Sequence, residues 1–448
     1  MKKIPLLISI LSCIIIYSCS SKPEKLFRVQ EDGLFGFIDS IGNIKIKPQY
    51  KYVGNFSEDG YALIITDVKI LNRHINLTYG FIDTKNNLVV DTINKLIIDS
   101  DYCPRLWHEN DYEDFFWHFI HKDIGFNEFY FENIRLSENK YPYMNESTKK
   151  FGYKNIKGDT IIPAKFLSAN PFYKGVAIVS EYPDSSGNTN DISLINQKGD
   201  YIKERGWSYV HDFTKKDLTW SLEFDIDIDA DGKMSDNGGI WTLIDLNGNI
   251  IIGPISPFKI ATRSYTGYAF NGYPENNDLY LYSFPKLYGV HLGYSYINKD
   301  GKYATDYNND NSITFFGDEN TKGEVFGDAT NFSEGFAGVK GHIGDEAFWT
   351  FMNPDFEIVT EEKYDSVKTF HENMAVVKQH GEWGVINTDF EIIIPFKFSE
   401  ISNFQNGLAY AKISGTKYDR EGYINSTGEF IWETKRKKWK SKHSTHNN

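Results

Sequence analysis

Short runs of apolar and β-branched residues alternate with polar turn residues along most of the chain. In one example, residues 35–39 (FGFID) are followed by the polar SIGN and then by 44–48 (IKIKP). Asp or Asn at the start of a turn caps it through the side chain, and Gly near its end accepts a positive φ. Such a run predicts a strand, a tight turn and a second strand. The pattern therefore predicts an all-β protein.

This first turn motif recurs nine times, in copies that begin at residues 35, 79, 151, 192, 241, 294, 349, 383 and 421. The fourth position after the leading residue is always Asp or Asn: Asp39, Asp83, Asn155, Asn196, Asp245, Asn298, Asn353, Asn387 and Asn425. Six copies place Gly three residues later. A residue type repeated at one turn position indicates architecture rather than a group of catalytic carboxylates.

A second turn motif follows the first: an aromatic residue, a short polar turn, Gly or Asn, a hydrophobic residue and then Ala. It is seen in 56–62, 172–177, 332–337, 370–375 and 404–409, with a weaker match at 267–269. The offset between the motifs is nearly constant, at 24 residues from Gly36 to Gly60 and 23 from Gly152 to Gly175. The Ala opens a third strand, so each unit is predicted to hold about three strands.

A three-stranded unit of this size cannot bury its own core, so neighbouring units must stack. We expect about nine short β-meander repeats in a solenoid-like, superhelical array. A β-propeller-like closure is the alternative, although nine units of three strands fit the usual four to eight four-stranded blades poorly.

The two motifs in register resemble the WG-repeat family, named for the Trp-Gly pair that stands intact at Trp383-Gly384. Phe35-Gly36, Tyr79-Gly80 and Phe151-Gly152 are aromatic variants of that pair. The resemblance covers most of residues 31–433. It implies recognition or scaffolding rather than catalysis, and it transfers no catalytic residue.

The first residues indicate export. Lys2 and Lys3 precede an apolar stretch, 4–16, which is too short to span a bilayer but fits the core of a signal peptide. The stretch runs into Ile16-Tyr17-Ser18-Cys19, which resembles the lipobox of bacterial lipoproteins, with Tyr17 as the departure. An ordinary secretory peptide cut nearby, or an uncleaved anchor, is the alternative. We expect a signal peptide at 1–18, lipidation of Cys19 and a tether at 19–30.

Composition narrows the classes of partner. The chain has 448 residues and a formal charge of −13, which argues against general binding of nucleic acid. Aromatic residues make up 16 %, so there is ample apolar surface to bury. Of the three cysteines, Cys13 leaves with the signal peptide and Cys19 would carry lipid, which leaves Cys103 alone.

The largest insertion, at about 98–149, is the first place to look for a functional loop. His118 and His121 offer metal-ligand chemistry, although their spacing matches no familiar zinc pattern. Trp107, Phe116 and Trp117 are candidate binding residues, because aromatic rings stack on sugars or grip peptides. A packed aromatic insert with incidental histidines is the plainer interpretation.

Asp227, Asp229 and Asp231, followed by Gly232, form a second candidate site. Alternate acids before Gly resemble a calcium loop, but the twelfth position is Gly238 rather than Glu and no helices flank it. A solvated acidic turn is the alternative. The sequence therefore predicts no cofactor, with calcium at these acids as the alternative.

Together these features predict an exported lipoprotein of the cell envelope, anchored through Cys19 and placed at the outer membrane. Its repeats at 31–433 would form a non-catalytic surface for protein or glycan, with a basic tail at 434–448. The alternative is a hydrolase or metal-dependent envelope enzyme with its site in the 98–149 insert. The sequence contains no GxSxG, HExxH, Walker or GxGxxG motif, which favours the first interpretation.

Overall fold

The computed structural model describes residues 23–71, 74–99, 134–181, 191–213, 217–228, 234–255, 279–283, 286–287, 290–291, 294–298, 328–343 and 346–437. Within these ranges every regular element is a β-strand, which confirms the all-β prediction. The same ranges contain no helix long and apolar enough to cross a membrane.

The described strands form ten antiparallel sheets. We number nine of them in chain order, and the tenth is a small two-stranded hairpin. Sheet one holds β1 (Phe27–Glu31), β2 (Leu34–Ile38) and β3 (Ile44–Tyr50), and sheet two holds β4 (Tyr52–Val53), β5 (Tyr61–Leu71), β6 (His74–Asp83) and β7 (Leu88–Asp99). Sheet three holds β8 (Lys140–Met144), β9 (Phe151–Asn155) and β10 (Thr160–Phe166). Sheet four holds β11 (Ser168–Ala169), β12 (Val176–Glu181), β13 (Asp191–Asn196) and β14 (Tyr201–Trp207).

Sheet five holds β15 (Tyr209–Val210), β16 (Leu218–Ile228), β17 (Met234–Asp245) and β18 (Ile250–Ile255). Sheet six holds β19 (Leu279–Ser283) and β22 (Tyr294–Asn298). Between them in the chain, β20 (Lys286–Leu287) and β21 (Val290–His291) form the separate two-stranded hairpin. Sheet seven holds β23 (Asp328–Ala329), β24 (Ala337–Ile343) and β25 (Glu346–Met352). Sheet eight holds β26 (Ser366–Val367), β27 (Met374–Gln379), β28 (Glu382–Asn387) and β29 (Ile392–Phe398), and sheet nine holds β30 (Glu400–Ile401), β31 (Ala409–Ile413), β32 (Tyr418–Ile424) and β33 (Phe430–Lys437).

The complete sheets contain one strand more than the sequence predicts. Their first strand has only two residues, such as Tyr52–Val53 or Ser366–Val367. Its second residue is buried, and Val53 is 0 % exposed. The fourth strand instead carries exposed apolar side chains, such as Ile392 at 58 %. The two-residue strand is therefore the inner edge of each sheet, and the fourth strand is the outer edge.

Each sequence repeat is shared between two sheets. In sheet two, Tyr61 pairs with Asp83, so the second turn motif of one copy lies beside the first turn motif of the next. The same offset joins Met374 to Asn387 in sheet eight. A repeat counted from its first motif to its second therefore supplies the outer half of one sheet and the inner half of the next.

The apolar core lies between neighbouring sheets, as expected for units that cannot bury a core alone. One cluster contains Phe351, Phe370 and Ile386 and joins sheets seven and eight. Others join sheets one to three, three and four, four and five, six and seven, and eight and nine.

The two ends of the array meet. The rings of Phe27 in sheet one and Tyr423 in sheet nine lie 5.5 Å apart, edge to face. A methyl group on Gly42 of sheet one would overlap the carbonyl oxygen of Ile431 in sheet nine. Gly428 of sheet nine abuts Ile394 of sheet eight in a similar way. Sheet one therefore packs on sheet nine, which agrees with the propeller-like alternative rather than with an open solenoid.

The sheets have two unlike ends. At the end that we call the turn end, both turn motifs lie side by side, since Tyr61 pairs with Asp83. At the opposite end, the loop end, the second strand connects to the third and the outer strand leads to the next sheet. The connections between second and third strands contain residues 72–73, 182–190, 229–233 and 344–345. Residues 100–133 instead follow the outer strand β7.

Close approach of the neighbouring strand explains why Gly occupies the second position of the Trp-Gly pair. A Cβ on Gly384 would lie 2.8 Å from the carbonyl oxygen of Ile394. The register between β28 and β29 shifts at this point, because Trp383 pairs with Phe398 and Val385 with Ile394. Pro395 lies inside this bulge of the outer strand, where its missing N–H leaves no ladder hydrogen bond unmade.

Three predicted boundaries differ from the structure. β1 lies inside the 19–30 segment expected as a tether, because Phe27 to Glu31 pair with β2. Residues 134–149, expected within the insert, contain β8 of sheet three. The outer strand β33 extends to Lys437, into the segment expected as a tail.

Candidate functional site

The first turn motifs have the chemistry that the sequence predicts. Asp39 Oδ1 accepts hydrogen bonds from the backbone N–H groups of Ile41 (3.1 Å) and Asn43 (2.8 Å). The Asn43 side chain then donates to Asp39 Oδ2 at 3.0 Å. Where the leading residue is Asn, the roles are exchanged, and Asn387 donates to the carboxylate of Glu391 at 3.0 Å. Seven of the described turns are thus acid–amide pairs.

These hydrogen bonds set the charge state of the turn acids. Desolvation alone would raise the pKa of Asp39, but the side-chain and backbone hydrogen bonds from Asn43 outweigh it and lower that pKa. The pKa values of Asp83 and Asp245 are lowered by the same balance. All three carboxylates therefore stay ionised at neutral pH.

The second turn motifs connect neighbouring sheets. Glu138 and Asn139 both have positive φ, at 53° and 60°, as a type I′ turn requires. The Glu138 carboxylate reaches sheet four, where it accepts hydrogen bonds from Gly175 N at 2.9 Å and Gln197 Nε2 at 2.6 Å. The Glu138 N–H donates in the other direction, to Asp59 of sheet two at 2.9 Å.

The same device recurs in the last three sheets. Glu334 of sheet seven accepts a hydrogen bond from Asn373 N at 2.8 Å, and Glu372 of sheet eight accepts one from Gly407 N at 2.8 Å. Between sheets four and five an ion pair replaces it, with Lys174 Nζ 2.6 Å from Asp217 Oδ1. We call these contacts the turn belt.

His211 lies at the inner edge of sheet five, directly after β15. Its ring is 4.7 Å from Tyr209, edge to face, and 6.1 Å from Trp241. Desolvation lowers the pKa of His211, against the opposing effect of Asp212, so the imidazole is largely neutral at pH 7. Tyr209 and Asp212 are titratable groups beside this ring.

A groove of about 400 Å³ opens at the outer edge between sheets eight and nine. Lys397, Arg420, Glu429, Trp432 and Glu433 are among the residues that line it. Arg420 donates two hydrogen bonds to Glu433 Oε2, at 2.9 and 2.6 Å. Charges of both signs beside a half-buried indole suit a neutral polar ligand, and the volume lies in the range of ordinary ligand pockets.

Most of the candidate site residues fall outside the part of the chain that the structure describes. These are Cys19, Trp107, Phe116, Trp117, His118, His121, Asp229 and Asp231. Asp227 lies in β16 and pairs with Ser235 of β17. The described ranges contain no group of three or more His, Cys, Asp or Glu side chains that could hold a metal ion.

The second copy also has a second turn motif, which the sequence pattern did not predict. Residues 136–141 (LSENKY) occupy its place, with Ser137 and Lys140 joined by two reciprocal backbone hydrogen bonds of 2.9 Å. Leu136, Asn139 and Tyr141 stand where other copies have an aromatic residue, Gly and Ala. The signal that could have found it is Ser-Glu followed by Asn, which resembles Ser-Glu-Gly in the seventh sheet.

Comparison with solved structures finds distant likenesses. A eukaryotic initiation factor is 8 % identical with a TM-score of 0.48, covering 93 % of this chain and 96 % of the other. The Dos1 propeller is 9 % identical with a TM-score of 0.32, covering 91 % and 88 %. The β-propeller domain of the Trilobed protease from Pyrococcus furiosus is 10 % identical with a TM-score of 0.30, covering 84 % and 94 %. Comparison with curated protein sequences finds no match.

Comparison with protein families gives a direct result. The model of the WG-containing repeat matches residues 35–67, 151–181, 349–383 and 383–416. Each matched segment begins in the strand that leads into a first turn motif and reaches the second strand of the next sheet. The third segment, 349–383, continues into β28. These four segments of the chain are therefore WG-containing repeats.

Proposed function

We propose that this protein is an exported, lipid-anchored envelope protein whose ring of β-sheets is a non-catalytic scaffold that binds protein or glycan. The supporting observation is the difference between the two ends of the sheets. Side chains brace the turn end across sheet boundaries, as Glu138 does with Gly175 and Gln197. The longest interruption of the repeat, 100–133, leaves from the loop end after β7, which suits a loop displayed on a rigid support.

The binding surface of this proposal is the loop end, with 100–133 as its main element. Ile134, directly after this segment, is buried in the core cluster of sheets one to three, and β7 precedes the segment in sheet two. This segment contains the aromatic residues Trp107, Phe116 and Trp117. The residues on both sides of it belong to the sheets and their core. Their rings are suited to sugar faces or to a peptide.

The test of binding exchanges 100–133 for a Gly/Ser linker and keeps 134–149, which belong to sheet three. Full-length protein is crosslinked in the native envelope, and isolated glycans are tested for retention. Binding should be lost in this variant and kept in a control that exchanges 182–190, with both variants retaining a β-rich circular dichroism spectrum. Equal binding by wild type and the 100–133 variant would contradict the assignment.

The test of anchoring is incorporation of labelled palmitate and partition into detergent. Wild type should carry label, whereas Cys19→Ser should not and should be released from the membrane fraction. A label that persists in Cys19→Ser, or its absence from wild type, would refute lipidation at this residue.

A further inference from the structure

The chain enters the ring at the turn end. Phe27, the first residue of β1, pairs with Ile38, which directly precedes the turn residue Asp39 of sheet one. Pro23 lies at the turn end of sheet two, because a methyl group on Gly60 would meet its Cβ at 2.7 Å. Glu24 forms an ion pair of 2.8 Å with Lys45, which lies just after the turn of Asp39 in sheet one. Residues 23–27 are thus fixed to this end of two sheets.

The segment before Pro23 is too short to reach any other part of the ring from a membrane. Three residues separate Cys19 from Pro23, and the four Cα-to-Cα steps between them span at most about 14 Å when fully extended. A strand of six or seven residues, such as β12 or β29, is roughly 20 Å long. A lipid on Cys19 would therefore hold the turn end near the bilayer and keep the loop end away from it.

The turn nearest the tether differs from the other eight in a way that suits a lipid surface. The second position after the leading Asp or Asn is polar or charged in eight copies: Lys85, Lys157, Lys198, Asn247, Asp300, Asp355, Asp389 and Thr427. In sheet one it is Ile41, whose side chain is 74 % exposed. The nearby charges are largely paired, since Lys45 lies 2.8 Å from Glu24 and 3.8 Å from Asp39.

We infer that the turn end of the ring is a membrane-facing surface, with Ile41 at the headgroup boundary beside the lipid anchor and the loop end directed away. This inference rests on the proposed lipidation of Cys19. It deepens that proposal, because it states which surface of the ring remains free for a partner. Glu58 and Asp59 stand in the neighbouring turn of sheet two, where their negative charges would be repelled by anionic lipids. The inference therefore requires a membrane surface without net charge.

The experiment places spin labels at matched positions on the two ends of one sheet. Ser40→Cys lies in the exposed turn and Glu31→Cys at the exposed loop end of sheet one, both in a Cys103→Ser background. A second pair, Ser426→Cys and Thr416→Cys, does the same in sheet nine. The lipidated protein is bound to phosphatidylethanolamine vesicles that contain a nickel-chelating lipid, and the relaxation of each label by nickel is measured.

We expect several-fold stronger relaxation at Ser40 than at Glu31, and at Ser426 than at Thr416. Ile41→Lys, which installs a residue that three other copies carry, should lower the relaxation at Ser40 without changing the spectrum of the soluble protein. Equal relaxation at the two ends, or stronger relaxation at the loop end, would overturn the orientation. Failure of the protein to float with the vesicles would instead overturn the anchoring, and the two failures are therefore distinct.

Discussion

The turn end and the loop end of the sheets differ in how regular their connections are. At the turn end, the eight copies whose turn the structure describes use one Asx turn. Carboxylates such as Glu138 and Glu372 extend from this end to the backbone of the next sheet. At the loop end, the connections differ from sheet to sheet, from the tight β27–β28 turn at 380–381 to the connection that contains 182–190. The sequence is therefore repeated at the end where neighbouring sheets contact one another through their turns, and it varies at the end where they do not.

The largest expected effect concerns aromatic packing near the turn end. Phe370 is 0 % exposed, and its ring lies 5.1 Å from Phe351 and 5.2 Å from Phe336. Phe370→Ala should lower the free energy of unfolding by about 3–5 kcal/mol, because it leaves a cavity between two sheets. Phe348→Ala, towards the loop end of sheet seven, should cost about 1 kcal/mol. Chemical denaturation measures both, and similar losses would break the comparison.

A smaller effect is expected from inserting chain at each end of one sheet. Six Gly/Ser residues between Asp389 and Phe390 would separate Asn387 Oδ1 from the Glu391 N–H that it accepts at 2.9 Å, and would displace Phe390 from Phe336. We expect a loss of about 2 kcal/mol or more, from a lost cap and lost packing.

The matched insertion lies between His380 and Gly381 at the loop end of sheet eight. Lengthening a loop costs only about 1 kcal/mol of closure entropy. The same denaturation curves give both values. Equal tolerance at the two positions would show that the turn motif does not specify the register.

The turn belt is tested by removing one carboxylate. Glu138→Ala should lower the free energy of unfolding by about 1–2 kcal/mol, because it leaves the Gly175 N–H and the Gln197 amide without their acceptor. Glu382→Ala, an exposed acid at the loop end, should change it by less than about 0.5 kcal/mol. A double variant with Gln197→Ala should cost less than the sum of the two single changes, because the residues share one interaction.

The smallest expected effect is on the response to acid. The folded pKa values of Asp39, Asp83 and Asp245 lie below their ordinary value of 3.8, so the folded protein binds fewer protons than the unfolded chain. Their contribution to stability is complete above that value and is lost as the pH falls through the lower folded pKa. Replacing all three with Asn, the residue of the six other copies, should flatten the fall in thermal midpoint below about pH 4. An unchanged acid profile would contradict this assignment.

Much of the fold could be predicted because the turns carry their own chemistry. Each Asp or Asn of the first motif ends a strand or directly follows one, as Asn387 ends β28 and Asn353 follows β25. The two-residue inner strands could not be predicted, since Tyr52–Val53 is too short to show a period. The contact of Phe27 with Tyr423 joins opposite ends of the chain and leaves no local signal.

Less of the candidate site could be predicted. The turn belt depends on the distance between neighbouring sheets, which a single turn sequence such as Ser137-Glu138-Asn139 does not encode. The groove at Lys397 and Arg420 likewise needs the outer strand of one sheet to lie beside the next. The insert at 98–149 and the acids Asp229 and Asp231 stay predictions that rest on sequence.

The offset between repeat and sheet has a consequence for how such a protein changes over time. Since a repeat supplies the outer half of one sheet and the inner half of the next, gain or loss of one whole repeat by unequal recombination leaves every sheet complete. The new neighbours meet through the same turn chemistry that Glu372 and Gly407 use now. Genes for such arrays can therefore lengthen or shorten in steps of one repeat, while the ends that close the ring, at Phe27 and Tyr423, are inherited unchanged.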